Sequence, residues 1–428
     1  MRRVYSWKRL WLFCAVAASI SSVALLSIPL LRGQTPFYLK DGDRVVFYGD
    51  SITDQRLYTA FIEAYVVTRF PRLGVTFIHS GWGGDRVTGG QGGPVDQRLA
   101  RDVVAYKPAV VTVMLGMNDA GYQPYNEKLF VTYSEGLKHI VDSLRAALPG
   151  VRITLIQPSP FDDVTRAPQF QGGYNAVLLK YGDYVKKLAG EDGLTVADMN
   201  APVVQMLEKA KTGDPKLAEK IIPDRVHPGP GGHLIMAEAL LESWHAPMLV
   251  SSVVLDAGQA KTVETENAQV ADLKSENGLS WTETDGAVPM PIDLGDPVVS
   301  LALRSSDFVE QLDQERLRVS GLATGRYALM IDGESVGTFT DREFSAGVNL
   351  ATLPTPMLKQ AQTVYDLTVK HNQIHFARWR MVQVPLQDLK LGEEPATLDQ
   401  LDKLDAELLA NQRAAAQPKP HHFELSPK

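Results

Sequence analysis

Between about residues 42 and 245 the chain alternates between two textures. Short apolar runs rich in β-branched residues occur at 45–48, 75–79, 110–115, 153–157 and 194–197. The longer segments between them, 58–70, 95–106, 130–148 and 176–191, carry apolar residues at helical spacing. Strand-length runs without polar alternation are buried on both faces, and the helices between them serve as crossovers. The pattern therefore predicts parallel βαβ units in a doubly wound α/β sheet. In such sheets, functional groups collect beyond the carboxyl ends of the strands.

After about Val250 this alternation stops. Polar, acidic segments fill 264–286. Strands are predicted at 317–319 and 327–331, and Asp332-Gly333 is a hairpin turn into a strand at 335–340. A helix led by Pro356 is expected over 356–379, and an amphipathic helix over 398–413. The last stretch, 417–428, has three prolines and few apolar residues and reads as a disordered tail. The expected organisation is an N-terminal targeting segment (1–33), an α/β domain (34–250), a smaller β-rich unit with a helix (251–390), and a helix with tail (391–428). No internal repeat is evident.

Length and charge narrow the reading. With 428 residues, more than one unit is expected. A formal net charge of −7 argues against a nucleic-acid partner held by broad phosphate neutralisation. The one cysteine, Cys14, excludes an intramolecular disulfide and a cysteine-rich metal site. Arg2, Arg3, Lys8 and Arg9 precede an apolar run over 11–31, which reads as an export signal or signal anchor. The protein is expected to be exported, periplasmic or secreted, and to meet a membrane only through that segment.

Four polar patches stand out, three of them directly after predicted strands. They are Gly49-Asp50-Ser51-Ile52-Thr53, Gly81-Trp82-Gly83-Gly84-Asp85, Gly116-Met117-Asn118-Asp119 and Asp224-Arg225-Val226-His227-Pro228. Singly, each has a plain structural reading. Ser51 suits a helix cap, the glycine-rich stretch suits a loop, and Asn118 and Asp119 suit a turn. The glycine-rich stretch is no P-loop, because no Gly-Lys-Ser/Thr follows it. Asp224, His227 and His233 match no standard zinc spacing. Ser51 is not in Gly-x-Ser-x-Gly, which speaks against an α/β-hydrolase nucleophile elbow.

Taken together and in order, the four patches resemble the SGNH (GDSL) hydrolase family over about residues 43–245. One departure is His79-Ser80-Gly81 where the second block often opens with Asn-x-Gly. The resemblance implies a flavodoxin-like three-layer sandwich, with Ser51 as nucleophile, His227 as base and Asp224 as its partner. It also implies an oxyanion hole from the Ser51 and Gly84 backbone N–H groups and the Asn118 amide. A serine hydroxyl needs such a base, the carboxylate fixes the imidazole, and the donors hold the developing oxyanion. No metal and no cofactor are implied.

The expected activity is hydrolysis of carboxylic esters, with a short acyl group such as acetyl on a polysaccharide or small molecule. A lipid esterase, lysophospholipase or thioesterase on the same triad is the near alternative, and a non-catalytic glycan-binding protein the alternative of another class. Trp82 and Tyr122, with Tyr125, are candidate substrate-contacting aromatics. The C-terminal unit is expected to shape one wall of the cleft. Oligomeric state is not encoded in any visible pattern.

Overall fold

The computed structural model describes residues 36–428 apart from positions 277 and 390. The N-terminal apolar run, with the expected signal or anchor and Cys14, lies outside the described residues. No helix among the described residues is long and apolar enough to cross a membrane.

The first strands are β1 (Arg44–Gly49), β2 (Thr76–Gly81), the two-residue partners β3 (Gly89–Gly90) and β4 (Gly93–Pro94), then β5 (Val110–Met114), β6 (Arg152–Ile156) and β7 (Thr195–Ala197). β3 pairs with β4. The other five form one parallel sheet in the order β2-β1-β5-β6-β7. Val45, Val46, Phe47 and Tyr48 are all fully buried, which accounts for the unbroken apolar run in β1. The chain steps from β1 to β2 on one side and then crosses to β5 on the other. The carboxyl ends of β1 and β5 thus flank the switch point where a site is expected. Helix Leu57–Arg69 packs on Pro230–Ser243, and Glu127–Ala147 on Val95–Asp102 and Gly173–Asp192, giving the expected α/β layers.

The second half is richer in strands than its polar sequence suggested. It contains β8 (Leu249–Asp256), β9 (Lys261–Glu266), β10 (Ala268–Lys274), β11 (Leu279–Asp285), β12 (Gln314–Ser320), β13 (Arg326–Ile331), β14 (Glu334–Thr340), β15 (Val348–Asn349) and β16 (Pro420–Pro427). Two sheets result, β10-β11-β16-β13-β14 and β15-β12-β8-β9. They share a core that includes Val253, Leu255, Trp281, Leu317, Leu329, Phe344 and Phe423. Strands β9 to β11 account for the acidic stretch 264–286: β11 alternates buried and half-buried residues, while β9 is mostly exposed. The β13–β14 hairpin turns at Asp332 and Gly333, both with positive φ (53° and 78°), as the Asp-Gly signal requires.

Two expectations about this half need correction. The disordered tail is instead β16, paired along one edge with β11 and along the other with β13. His421, Phe423 and Leu425 point inward while His422, Glu424 and Ser426 stay exposed. Its Pro420 and Pro427 sit at the two ends, where a missing N–H costs the ladder least. The segment assigned to a separate C-terminal unit also contributes to the first core. Met290, Ile292, Val299, Leu301, Phe308 and Leu312 are buried with the parallel sheet, and residues 37–428 form one compact unit.

Helix Pro356–Phe376 lies between Leu57–Arg69 and Glu394–Ala415. At its centre is Glu63, 1% exposed. Its carboxylate accepts from His371 Nε2 (2.5 Å), Gln412 Nε2 (2.9 Å), His79 Nε2 (3.2 Å) and Asn372 Nδ2 (3.3 Å). His371 also meets Asp405 through Nδ1 (3.3 Å). Burial alone would lower the His371 imidazole, but the Glu63 and Asp405 carboxylates push it up to about 10. Burial would likewise raise Glu63, yet the His371 charge and the His371 and His79 hydrogen bonds hold it well below the usual carboxylate range.

Replacing Glu63 by alanine leaves the buried His371 imidazolium with Asp405 as its remaining carboxylate partner and is expected to cost about 3–5 kcal/mol in urea denaturation. The His371 contribution should be complete below its unfolded value, about 6.5, and fade as pH rises through about 10. A Glu63→Ala protein with wild-type denaturation midpoints from pH 6 to 10 would contradict both statements.

Candidate active site

β1 ends at Gly49, and the chain turns at once into the one-turn helix Ser51–Asp54. Asp50, 1% exposed, caps that turn by accepting from the Ile52 N–H (3.0 Å). The turn is wedged between neighbouring strand ends. A Cβ on Gly49 would lie 2.2 Å from Thr53 Oγ1, and one on Gly81 2.2 Å from the Asp54 nitrogen. Glycine at both positions lets the β1 and β2 termini close on the serine turn.

The fourth patch comes from the loop before helix Pro230–Ser243. His227 Nε2 lies 2.8 Å from Ser51 Oγ, and His227 Nδ1 lies 2.6 Å from Asp224 Oδ2. An ionised carboxylate can only accept, so Nδ1 carries the proton and Nε2 presents its lone pair to the serine hydroxyl. Asp224 Oδ1 accepts from the backbone N–H of His227 (2.7 Å) and of Val226 (2.9 Å). Burial would raise the Asp224 carboxyl, but these bonds and the His227 ring hold it below its ordinary value. Ser51, His227 and Asp224, 176 residues apart at the extremes of their hydrogen bonds, are thus one continuous chain.

His233 tightens this arrangement. Its Nδ1 accepts from the Tyr58 N–H (3.2 Å), so Nε2 donates to Gln55 Oε1 (3.0 Å). Gln55 in turn donates to the Pro228 carbonyl (3.4 Å). The serine turn and the His227 loop are thereby tied together. Burial first, then the nearby His227, pushes the His233 imidazole down to about 3, which keeps it neutral.

The second patch meets the serine turn, where the Trp82 N–H donates to the Gly49 carbonyl (2.9 Å), and the third is tied to the second. Gly84 has φ +76° with open space where a Cβ would stand, so it is the backbone conformation that favours glycine there. Asn118 Nδ2 donates to the Asp85 carbonyl (3.0 Å), and Asp119 Oδ1 accepts from the Val87 N–H (2.9 Å). These two bonds join the 84–87 loop to the 116–119 loop. Burial pushes the Asp119 carboxyl up to about 7.

Support for the 82–85 loop was not legible in the motifs. Arg98, fully buried, donates through Nε to Asp85 (2.9 Å), through Nη1 to Asp102 and through Nη2 to the Ser80 carbonyl (2.9 Å). Asp102 also accepts from Trp379 Nε1 (2.6 Å), a residue of the C-terminal half. Trp82 belongs to the same cluster. It is 6% exposed, 5.6 Å edge-on to Trp379, and covered by the Arg380 guanidinium at 3.0 Å. It has no open ring face, so the expectation that Trp82 stacks on substrate is corrected to a structural role. Tyr122 and Tyr125 are exposed (42% and 37%). Tyr125 donates to Glu127, while Tyr122 donates to Asn118 Oδ1 (3.0 Å).

A parallel sheet whose switch point carries this serine, this histidine loop and the flanking Gly84 and Asn118 loops defines an SGNH-type hydrolase. Residues 47–235 match the GDSL-like Lipase/Acylhydrolase family. By class it is a carboxylic ester hydrolase. A similar protein is the acetylxylan esterase of Geobacillus stearothermophilus, 28% identical over 221 residues that make up 47% of this chain and 93% of that one. The solved structure of a gut microbial diltiazem-metabolizing enzyme superposes with a TM-score of 0.76 at 25% identity, covering 92% of this chain and all of that one. That likeness extends through the β-rich half as well.

Proposed function

We propose that the protein is a serine esterase that removes short acyl groups, acetyl first among them, from a carbohydrate. The observation that carries the reading is the hydrogen-bonded series from Ser51 through His227 to Asp224, set beside the Gly84 and Asn118 loops. His227 takes the Ser51 proton as the hydroxyl oxygen attacks the ester carbonyl. The Ser51 and Gly84 N–H groups and the Asn118 amide receive the oxyanion. Collapse expels the sugar hydroxyl with the proton from His227 and leaves an acyl-serine. Water activated by the same imidazole then releases the acid.

The acyl and alcohol preferences rest on different support. The acetylxylan esterase relative favours acetyl on a glycan. The openness of the site agrees, since the side chains of His227 and Asp224 are 35% and 55% exposed, leaving room for a bulky polymer rather than a buried acyl tunnel. The apolar N-terminal run makes export to the periplasm or medium the fitting address.

The test compares p-nitrophenyl acetate with its decanoate, and then acetylated xylo-oligosaccharides with a lysophospholipid. Acetate preference with release of acetate from the glycan is the expected outcome. A decanoate and lysophospholipid preference would replace this reading with a lipid esterase. A folded protein that turns over none of these esters and is not labelled at Ser51 by a fluorophosphonate would indicate a glycan-binding protein instead.

A further inference from the structure

The Gly116–Asn118 turn is held by three tyrosines from three different segments. Tyr133, on helix Glu127–Ala147, donates to the Leu115 carbonyl (3.2 Å). Tyr174, on helix Gly173–Asp192, donates to the Met117 carbonyl. Tyr122 donates to the side chain of Asn118 itself (3.0 Å). The first two fix the backbone on which Asn118 stands. The third acts on the amide.

Its direction is set by elimination. The Asp85 carbonyl can only accept, so the group facing it at 3.0 Å is the Asn118 nitrogen. The Asn118 oxygen therefore faces Tyr122, and the phenol must be the donor. That places one amide hydrogen on Asp85 and leaves the second free for the cleft. Without the phenol, rotation of the amide by half a turn would set its oxygen against the Asp85 carbonyl and against any oxyanion. Burial, with Asp50 and Asp224 nearby, pushes the Tyr122 phenol up to about 12, so it keeps its proton throughout the neutral range.

The backbone is shaped to deliver this hydroxyl. Gly121 and Tyr122 both have positive φ (73° and 54°), and for a bulky tyrosine that conformation is unfavourable. It is held by stacking of the Tyr122 ring on Tyr174 at 5.0 Å and by the edge of Phe161 at 6.3 Å. Tyr174 thus supports both the Met117 carbonyl and the ring that reaches Asn118.

We propose that Tyr122 is a positioning residue that orients the Asn118 amide for oxyanion binding, rather than a platform that binds the sugar. This rests on the reading of Ser51 as nucleophile and Asn118 as oxyanion donor. Tyr122→Phe keeps the ring and removes only the hydroxyl. Its expected effect on p-nitrophenyl acetate hydrolysis is a fall in kcat of about tenfold, the worth of one hydrogen bond, with KM within about twofold. Asn118→Ala should lower kcat by about 10²–10³. The double variant should match Asn118→Ala alone, because Tyr122 acts only through that amide.

Ser51→Ala runs alongside to separate the two levels of the reading. Serine-dependent turnover together with unchanged kcat in Tyr122→Phe would overturn the role of Tyr122 and leave the nucleophile standing. So would a Tyr122→Phe effect confined to KM, or one that multiplies with Asn118→Ala. Wild-type kcat in Asn118→Ala would remove the donor and the proposal with it. Turnover that survives Ser51→Ala would overturn both levels.

Discussion

Ser51→Ala is expected to lower kcat/KM on p-nitrophenyl acetate by a factor on the order of 10⁶, and His227→Ala by a similar factor. The two should not multiply. Oγ and Nε2 share one hydrogen bond of 2.8 Å, so each is without function once the other is gone. Asp224 should matter less, with a loss on the order of 10⁴, because an imidazole still bonded to Ser51 retains part of its basicity. Asp224→Asn is the cleaner substitution there. Its amide oxygen can still accept from the Val226 and His227 N–H groups, which keeps the loop, whereas alanine would release both. The expected ranking is checked by steady-state kinetics with active-site titration, and by melting temperature to confirm that each variant is folded. Ser51→Ala activity within tenfold of wild type would exclude the serine mechanism. The Asp85 and Arg98 cluster should stay intact in all of these variants, since none of its bonds passes through the triad.

The α/β half was legible because its signals are local. Strands buried on both faces have no polar positions to hide their period, and each of the first three motifs sits at a strand end. The pairing of Asp224 with His227 was legible for the same reason: the two are three residues apart and bond within a single turn. Arg98 was not. It stands four residues before Asp102, a spacing normal for a solvated helix face, and nothing in the sequence says that Trp379 will close over that face. The role of Trp82 was misjudged by the same omission, since the residues that cover it are about 300 positions away in the chain. His233 carried no signal beyond its residue type, because its partners Tyr58 and Gln55 are defined only by the fold. Tyr122 was visible as an aromatic beside the site, but the target of its hydroxyl was not.

In the C-terminal half the difficulty is of another kind. Strands such as β9 lie at a sheet edge, with most of their residues exposed, so their apolar content resembles that of loops. β16 is the sharper case. Its inward positions are His421, Phe423 and Leu425, and only the last two read as core. The period of two was present in the sequence, but the flanking prolines and the terminal position outweighed it.

Removal of residues 417–428 is therefore expected to be far more damaging than trimming a tail. β16 lies between β11 and β13, so its loss leaves two long strand edges unpaired in the middle of one sheet. It also takes Phe423 away from Trp281, on which it stacks at 5.0 Å, and Leu425 from the same core. Truncation after Ala416 should yield aggregated or protease-sensitive protein. Phe423→Ala, which keeps the ladder, isolates the packing part and should cost about 3–5 kcal/mol. For a unit of this size that is a fall in melting temperature of about 4–6 °C. The consequence for activity follows from connectivity. The Pro356–Phe376 and Glu394–Ala415 helices bring Trp379 and Arg380 onto Trp82, and Glu394–Ala415 runs almost directly into β16. If β16 anchors those helices, the truncated chain loses cover on the 82–85 loop, and any soluble fraction should show reduced kcat with Ser51 still present. A truncated protein with unchanged melting and unchanged kcat would mean that the terminal strand contributes neither to the fold nor to the site.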